Sequence, residues 1–127
     1  MPALVRACPS FQRAWDEHQA EYADTDGLVY VALGAFATHL VAQVRADNTG
    51  EFPAVFSTVE RLFGDGDAGI RNAMKYGLIE GIGNVAFHVG SGFAARFKPW
   101  FGPRAALAWA ELNNEWNPAR SGDITGH

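Results

Sequence analysis

Two glutamates and one histidine are the residues whose side chains best fit acid–base chemistry. Glu60 and Glu80 stand on the two arms of a predicted helical hairpin, and His39 lies on the helix predicted before it. Two carboxylates held close together raise the pKa of one of them, which permits proton transfer. The alternative is structural, with each carboxylate accepting hydrogen bonds from Arg, Tyr or backbone groups inside a helical bundle, such as Arg71 or Tyr76. The sequence favours the structural interpretation, because no nucleophile, metal cluster or phosphate-binding loop accompanies the pair. It also predicts that His39 is a hydrogen-bonded residue at the edge of the core.

Metal-binding patterns are incomplete in this chain. The run Asp24-Thr25-Asp26-Gly27 resembles the start of a calcium loop, but the twelfth position, which needs a glutamate, holds Ala35. His18 and Glu21 share one helical face, as HxxE metal pairs do, yet no further ligand accompanies them. Cys8 is the single cysteine, and nothing near it in the sequence would lower the pKa of its thiol. We therefore expect no metal site, no cofactor and no catalytic residue.

Acidic side chains are unevenly distributed along the chain. Ten Lys and Arg against fourteen Asp and Glu give a net charge of −4, which argues against a protein that binds nucleic acid through a basic surface. No acid occurs between Glu80 and Glu111, where Arg96, Lys98 and Arg104 lie. The acids concentrated elsewhere are Asp16, Glu17, Glu21, Asp24 and Asp26 in the first quarter, and Asp65 and Asp67 in the hairpin turn. The acidic and basic regions either pair with each other or form separate binding surfaces.

The segment from Glu51 to Ile82 predicts the helical hairpin itself. Apolar residues recur along its first arm at helical spacing, at Phe52, Val55, Phe56, Val59, Leu62 and Phe63. The arm ends at Gly64, and the turn Asp65-Gly66-Asp67 follows, with Asp67 placed to cap the second arm. The second apolar stripe is formed by Ile70, Met74, Gly77, Leu78, Gly81 and Ile82. The spacing of Gly77 and Gly81 predicts that another helix or a bulky ring, such as one of the late tryptophans, packs closely here.

Three further helices are predicted over about residues 10–22, 28–46 and 103–116. Repeated glycines predict that the chain frays between Val85 and Gly90, and Pro99 is expected to break a single turn at 93–97. No alternating strand pattern appears. The sequence predicts an all-α protein. We expect residues 1–127 to form a single compact domain of five or six amphipathic helices in antiparallel hairpins, with residues 118–127 as a polar C-terminal tail.

The length and hydropathy of the chain limit its class. A chain of 127 residues is long enough to bury roughly two-thirds of its unfolded surface in one domain. No basic stretch followed by an apolar region opens the sequence, so secretion is not indicated. The most apolar long window, 77–97, is interrupted by Glu80, Asn84, His88 and Arg96, and is not a membrane span. We expect a cytoplasmic protein that has no contact with the membrane.

Three segments of the chain resemble a family of small, all-helical bacterial proteins. They are LVYVALGAFATHLVAQV in the predicted long helix, FSTVERLFGDGDAGIRNAMKYGLIEGI in the hairpin, and FGPRAALAWAELNNEW in the last helix. Members of this family resemble immunity proteins of contact-dependent or polymorphic toxin systems, which are small, acidic, cytosolic proteins that cover a toxin domain. The resemblance implies a binding protein without catalysis, whose partner is a cognate protein toxin. Glu60 and Glu80 match the pattern, but no catalytic role is carried over to them.

Acidic side chains are the expected contacts with such a partner, because they suit the basic cleft of a toxin. These residues are Asp65, Asp67, Glu17, Glu21 and Asp24. One alternative is a small helical hydrolase or ligand-binding domain that uses Glu60, Glu80 and His39. Another is a homo-oligomeric scaffold, which would expose a large apolar patch around Trp100 and Phe101. The sequence leaves the oligomeric state open.

Overall fold

The fold is built from helices throughout the part of the chain that the computed structural model describes, residues 2–22, 28–90 and 92–116, with side chains for 3–17, 30–90 and 92–113. The α-helices are α1 (Pro2–Ala7), α2 (Gln12–Tyr22), α3 (Leu28–Arg45), α4 (Phe52–Asp65), α5 (Ala68–Asn72), α6 (Glu80–Val89) and α7 (Pro103–Trp116). Two 3-10 segments, Pro9–Phe11 and Phe93–Trp100, and a π-helix, Ala73–Ile79, connect them. The described residues contain no strand, so the all-α prediction is confirmed.

The long helix α3 lies at the centre of the fold. Leu33, Phe36, Leu40 and Val44 recur at helical spacing along it, and all four are buried. The helix packs against α2, the π-helix and α6, which is why alanines between these positions are buried as well. It ends in a turn at Asp47, whose φ of 57° is a left-handed conformation that aspartate tolerates better than most residues.

The amphipathic stripe of α4 faces the same core. Phe52, Val55, Phe56 and Val59 are buried, as their spacing predicts, and Pro53 occupies the first turn. The Phe52 ring stacks on Phe97 with 5.9 Å between centroids. Helices α1 and α7 pack on α4, so this arm of the hairpin connects both ends of the described chain.

Close packing at Gly77 and Gly81 is confirmed, and the element that approaches is α3. A Cβ atom on Gly77 would lie 2.7 Å from Leu33 Cδ1, and one on Gly81 would lie 3.2 Å from Ala37 Cβ. The expected alternative, a late tryptophan, does not occupy this position. The small residues let the backbone of the hairpin's second arm approach α3 closely.

Two sequence expectations about the later part of the chain are wrong. Helix α6 does not fray at Val85 but continues to Val89, because Ile82 and Ala86 bury their side chains and this packing outweighs the cost of the glycines. Pro99 lies inside the 3-10 segment Phe93–Trp100 and does not break it. In so short a helix proline forfeits only one N–H donor, while the buried Phe97 ring anchors the segment.

The beginning of the chain also differs from the prediction. Helix α1 was not predicted, since its six residues are too few to show a period, yet it buries Leu4 and Val5. Helix α2 begins at Gln12, because residues 9–11 form a 3-10 turn first. These short helices account for a count above the predicted five or six. The predicted turn at 24–27 and the tail at 118–127 lie outside the described residues. Within the described part, no helix is both long and apolar enough to cross a membrane.

Candidate functional site

Five polar side chains meet where the start of the chain joins α3 and α4. Cys8 and Ser10 lie at the end of α1 and in the following 3-10 turn, while Glu51 immediately precedes α4. His39 and Gln43 are four residues apart on α3, and this spacing places them on one helical face. Cys8 and Gln43 are buried, and the other three side chains are open to solvent to differing degrees. We call these residues the junction cluster.

The Glu51 carboxylate is the acceptor that organises the junction cluster. Its Oε1 atom accepts hydrogen bonds from Ser10 Oγ at 2.5 Å and from Gln43 Nε2 at 2.9 Å, and its Oε2 atom accepts from the Ser10 N–H at 3.0 Å. The Cys8 thiol donates to Oε1 at 3.4 Å. Ser10 Oγ also lies 2.8 Å from His39 Nε2. Because the serine proton goes to Glu51, the neutral imidazole satisfies this contact by donating from Nε2.

The ionisation of these groups follows from their surroundings. Burial, the largest effect on Glu51, raises its pKa, but the hydrogen bonds from Ser10, Gln43 and Cys8 outweigh it and lower the pKa to about 2. Burial raises the pKa of the Cys8 thiol to about 11. Burial also lowers the pKa of His39, against the attraction of Glu51. Near neutral pH the cluster therefore holds a carboxylate, a protonated thiol and a neutral imidazole.

The junction cluster does not form a serine nucleophile relay. In such a relay the acid orients the histidine, and the histidine accepts the serine proton. Here the carboxylate takes the hydrogen bond from Ser10 itself, and no described hydrogen bond joins Glu51 to His39. The thiol of Cys8 is equally poor as a nucleophile, because burial stabilises its protonated form.

Glu60 caps the N-terminus of α7. Its two carboxylate oxygens accept hydrogen bonds from the backbone N–H groups of Arg104, at 2.9 Å, and Ala105, at 2.7 Å. These groups belong to the first turn of the helix, where donors have no partner inside the helix and negative charge is favoured. Gly102 leaves room for the carboxylate, since a Cβ there would lie 2.4 Å from Glu60 Cδ.

The structure does not bring Glu60, Glu80 and His39 together. Glu60 lies against α7, Glu80 is the partly buried first residue of α6, and His39 contacts Ser10. Among the described residues, the three potential metal ligands that do lie together are Cys8, His39 and Glu51, with their ligand atoms within 4.8 Å of one another. The three residues considered for acid–base catalysis therefore do not form one site.

The hairpin turn carries two exposed aspartates, Asp65 and Asp67, and the second is hydrogen-bonded to the backbone. Asp67 Oδ1 accepts a hydrogen bond from the Ile70 N–H at 2.9 Å, which confirms the predicted cap of the second arm. The Arg71 side chain donates to the Gly66 carbonyl at 2.7 Å. The Arg104 guanidinium covers Gly64 on the other side, 3.0 Å from where a Cβ would stand. Asp65 and Asp67 are thus flanked by arginines and do not form a purely acidic tip.

The remaining acids expected to contact a partner lie on or after α2. Glu17 is exposed and forms an ion pair with Arg13, with 3.5 Å between the charged atoms. The side chain of Glu21 and the whole of Asp24 lie outside the described residues. The structure thus describes the surroundings of only one acid of this group.

Two tyrosines are prominent on the described surface. Tyr30 is 50% exposed and Tyr76 is 41% exposed. The Tyr30 ring lies against Gly77, with its Cδ1 atom 3.3 Å from where a Cβ on Gly77 would stand. Gly77 directly follows Tyr76 in the chain. The Lys75 ammonium lies 5.1 Å from the centre of the Tyr76 ring and 3.2 Å from Glu111 Oε1. We call Tyr30 and Tyr76 the tyrosine pair.

Two cavities open on the surface of the described part of the chain. One has a volume of about 390 Å³, and the exposed Phe87 forms part of its wall. Its lining residues are Gly83, Asn84, Phe87, Gly90, Gly92, Ala94, Trp109 and Asn113. None of these residues is acidic or basic, so the cavity offers no proton-transfer group of its own. The second, of about 260 Å³, contains Arg71, Lys75 and Arg104 opposite Glu111. It adds positive charge beside the hairpin turn.

These features define the class as a single helical domain in which Glu51, Glu60 and the Lys75–Glu111 pair link different helices. The family model described as a domain of unknown function (DUF7674) matches residues 1–117, and the chain belongs to this family. No curated protein and no solved structure gives a significant match to the chain.

Proposed function

We propose that this protein is a non-catalytic binding protein of the immunity type, which neutralises a cognate bacterial protein toxin by covering its active site. The tyrosine pair is the observation that carries the proposal. Tyr30 is 50% exposed and Tyr76 is 41% exposed, and the Tyr30 ring lies against Gly77, the residue that follows Tyr76. Tyrosine is enriched at protein interfaces, because it offers apolar area and a hydroxyl with little entropy to lose.

Charged groups beside the tyrosine pair suit the edge of an interface. Asp67 and Tyr76 are nine residues apart along α5 and the π-helix, which is roughly 13 Å at the rise of a helix. Asp65 is exposed just before this segment, at the end away from Tyr76, while Arg71 and Lys75 lie within it. The partner surface then needs charges of both signs. Steering by such rim charges affects mainly the rate of association.

The positions of the carboxylates support binding over catalysis. Glu60 uses both of its oxygens to cap α7, so neither is available to a substrate. Glu51 is a weak base, because hydrogen bonds from three neighbours lower its pKa to about 2. The scaffold alternative is also weaker, because Trp100 and Phe101 pack against Phe52 and Phe56 and do not form a large exposed patch.

Neutralisation of toxicity in growing cells tests the proposal. A candidate toxin domain, sought among the neighbouring genes, is expressed from an inducible promoter together with the wild-type chain, with Tyr30→Ala/Tyr76→Ala, or with Phe87→Ala. Phe87 is the matched control, since it is 75% exposed and lines a different part of the surface. We expect growth with the wild type and with Phe87→Ala, and loss of growth with the double variant at equal protein levels. A wild-type chain that accumulates in folded form yet protects against no neighbouring toxin contradicts the proposal.

A further inference from the structure

We propose that Cys8, His39 and Glu51 form a binding site for one divalent transition-metal ion, with zinc the best match. The three residues come from the end of α1, the middle of α3 and the start of α4. Their ligand atoms, one sulfur, one nitrogen and one oxygen, all lie within 4.8 Å of one another. This site is independent of the toxin-binding surface proposed above.

The spacing of the ligand atoms is close to that of a tetrahedral zinc site. Zinc–ligand distances of about 2.0–2.3 Å place neighbouring ligand atoms roughly 3.3–3.7 Å apart in a tetrahedron. Cys8 Sγ and Glu51 Oε1 are 3.4 Å apart and already fit. The widest separation in the group, within 4.8 Å, needs a contraction of about an ångström. A small rotation of the partly exposed His39 side chain supplies it.

The donor set selects the metal. Thiolate and imidazole ligands favour zinc and similar transition metals, whereas calcium and magnesium prefer sites made of oxygen alone. Three protein ligands leave a fourth position. Ser10 Oγ lies 2.8 Å from His39 Nε2 and 2.5 Å from Glu51 Oε1, between the two ligands. Since Ser10 is exposed, its hydroxyl either turns away for a water molecule or becomes the fourth ligand.

Binding of the zinc ion requires that Cys8 lose its thiol proton and that His39 change its tautomer. The zinc ion replaces the thiol proton of Cys8, which passes to solvent. His39 moves its proton from Nε2 to Nδ1, so that the Nε2 lone pair faces the ion, and the hydrogen bond between Ser10 and His39 is lost. Glu51 is already a carboxylate and releases no proton. One proton therefore leaves for each zinc ion bound.

The ligands are held by groups that do not themselves bind the metal. Gln43 Nε2 donates to Glu51 Oε1 at 2.9 Å and fixes the carboxylate toward Cys8. The Cys8 backbone N–H is bonded to the carbonyls of Leu4 and Val5, at 2.9 and 3.1 Å. Partners that orient metal ligands in this way commonly raise affinity by about ten- to a hundredfold. Glu51 and Cys8 are consequently held in place before the ion arrives, and His39 turns toward the ion on binding.

Titration of the reduced, tag-free chain with Zn²⁺ and Co²⁺ tests the site. We expect one ion per chain, a sulfur-to-cobalt charge-transfer band with the strong visible bands of a tetrahedral centre, and a higher melting temperature with zinc. His39→Gln and Cys8→Ser should each bind at least about a hundredfold more weakly and lose the zinc-dependent rise in melting. His88→Gln, which changes an exposed histidine outside the site, should bind as the wild type does.

Circular dichroism of each variant shows whether it is folded. If Cys8→Ser does not fold, the partly exposed His39→Gln variant decides the question. Absence of saturable binding by the wild type overturns the proposal. So does binding that is unchanged in folded His39→Gln, or that is lost equally in His88→Gln.

Discussion

Glu51 carries a charge whose effect on stability depends on pH. Its hydrogen bonds lower the pKa from 4.5 to about 2 in the folded state. Because the folded value lies below the unfolded one, the ionised carboxylate stabilises the fold fully above about pH 4.5. This contribution is lost as the pH falls toward 2. The junction cluster is thus an acid-sensitive contact between the start of the chain, α3 and α4.

Replacement of Glu51 by glutamine should remove this acid-sensitive contribution. We expect Glu51→Gln to lower the free energy of unfolding at pH 7 by about 1–3 kcal/mol, since it replaces charged hydrogen bonds with neutral ones. The difference from the wild type should shrink between pH 4.5 and 2. Urea unfolding across this range measures it. Glu17→Gln, which affects an exposed ion pair, should change stability by less than about 1 kcal/mol. A difference that stays constant down to pH 2 contradicts the account.

The sequence pointed to His39 as a residue of interest, but it did not show that Ser10, Cys8 and Glu51 surround this side chain. Cys8, His39 and Glu51 are separated by 31 and 12 positions, so no local motif joins them. The one local signal is that His39 and Gln43 share a helical face. The capping role of Asp67, in contrast, was predictable, because the residue and the N–H groups it serves are three positions apart.

Helix α7 depends on a cap from a distant helix, and this dependence is testable. Glu60 and Arg104 are 44 positions apart, so the cap was not readable from the sequence, although a structural role for Glu60 was. Glu60→Ala should lower the free energy of unfolding by about 1–3 kcal/mol. Gly102→Ala should be destabilising too, because its Cβ would displace the same carboxylate.

The two changes act on one interaction, so their effects should not add. In the Glu60→Ala background, Gly102→Ala should cost much less than it does alone, and the coupling should be at least about 0.5 kcal/mol. Denaturant unfolding of the wild type, both single variants and the double variant gives this coupling. Additive effects would show that the carboxylate is not held where Gly102 leaves room for it.

The turn between α4 and α5 gives a matched pair of aspartates. Asp67→Ala should destabilise the protein by about 1 kcal/mol, because it removes the cap on the Ile70 N–H. Asp65→Ala should change stability by less than about 0.5 kcal/mol, as expected for an exposed residue without such a role. Thermal unfolding of both variants makes the comparison. Equal effects would contradict the capping geometry.

The extents of the helices depend on tertiary packing where local helix propensity predicted something else. The glycines of α6 predicted fraying, but burial of Ile82 and Ala86 holds the helix to Val89. The π-helix at Ala73–Ile79 has no sequence signature that we can identify. It lies where Gly77 brings the chain against α3, a close contact that the glycine spacing did predict.

For the whole molecule, periodic apolar residues were sufficient to predict the all-α class and most of the core. Phe52, Val55, Met74 and Ile82 occupy buried positions on the hairpin arms whose spacing predicted them. Surface function was harder to predict, because periodicity identifies the buried face and says little about which exposed side chains act together. The tyrosine pair combines residues from α3 and the π-helix, and it becomes visible only once these two helices pack.

Asp65 should act at the rim of the interface and affect the rate of association more than the affinity. We expect Asp65→Lys to change the association rate of the toxin and its dependence on salt, with a smaller effect on the dissociation rate. Stopped-flow association at several ionic strengths measures this. Unchanged rates and salt dependence would remove the hairpin turn from the binding surface. Asp65 is preferable to Asp67 for this test, since Asp67 also caps α5.

Calorimetric titration of the purified chain with a candidate toxin domain from a neighbouring gene tests whether the protein binds a toxin. The account predicts a one-to-one complex and an affinity at least about thirtyfold weaker for Tyr30→Ala/Tyr76→Ala, as expected when exposed aromatic anchors are truncated. Phe87→Ala should bind within about threefold of the wild type. If the folded wild-type chain shows no heat of binding and no complex on gel filtration, or if the tyrosine variant binds as tightly as Phe87→Ala, the account is contradicted.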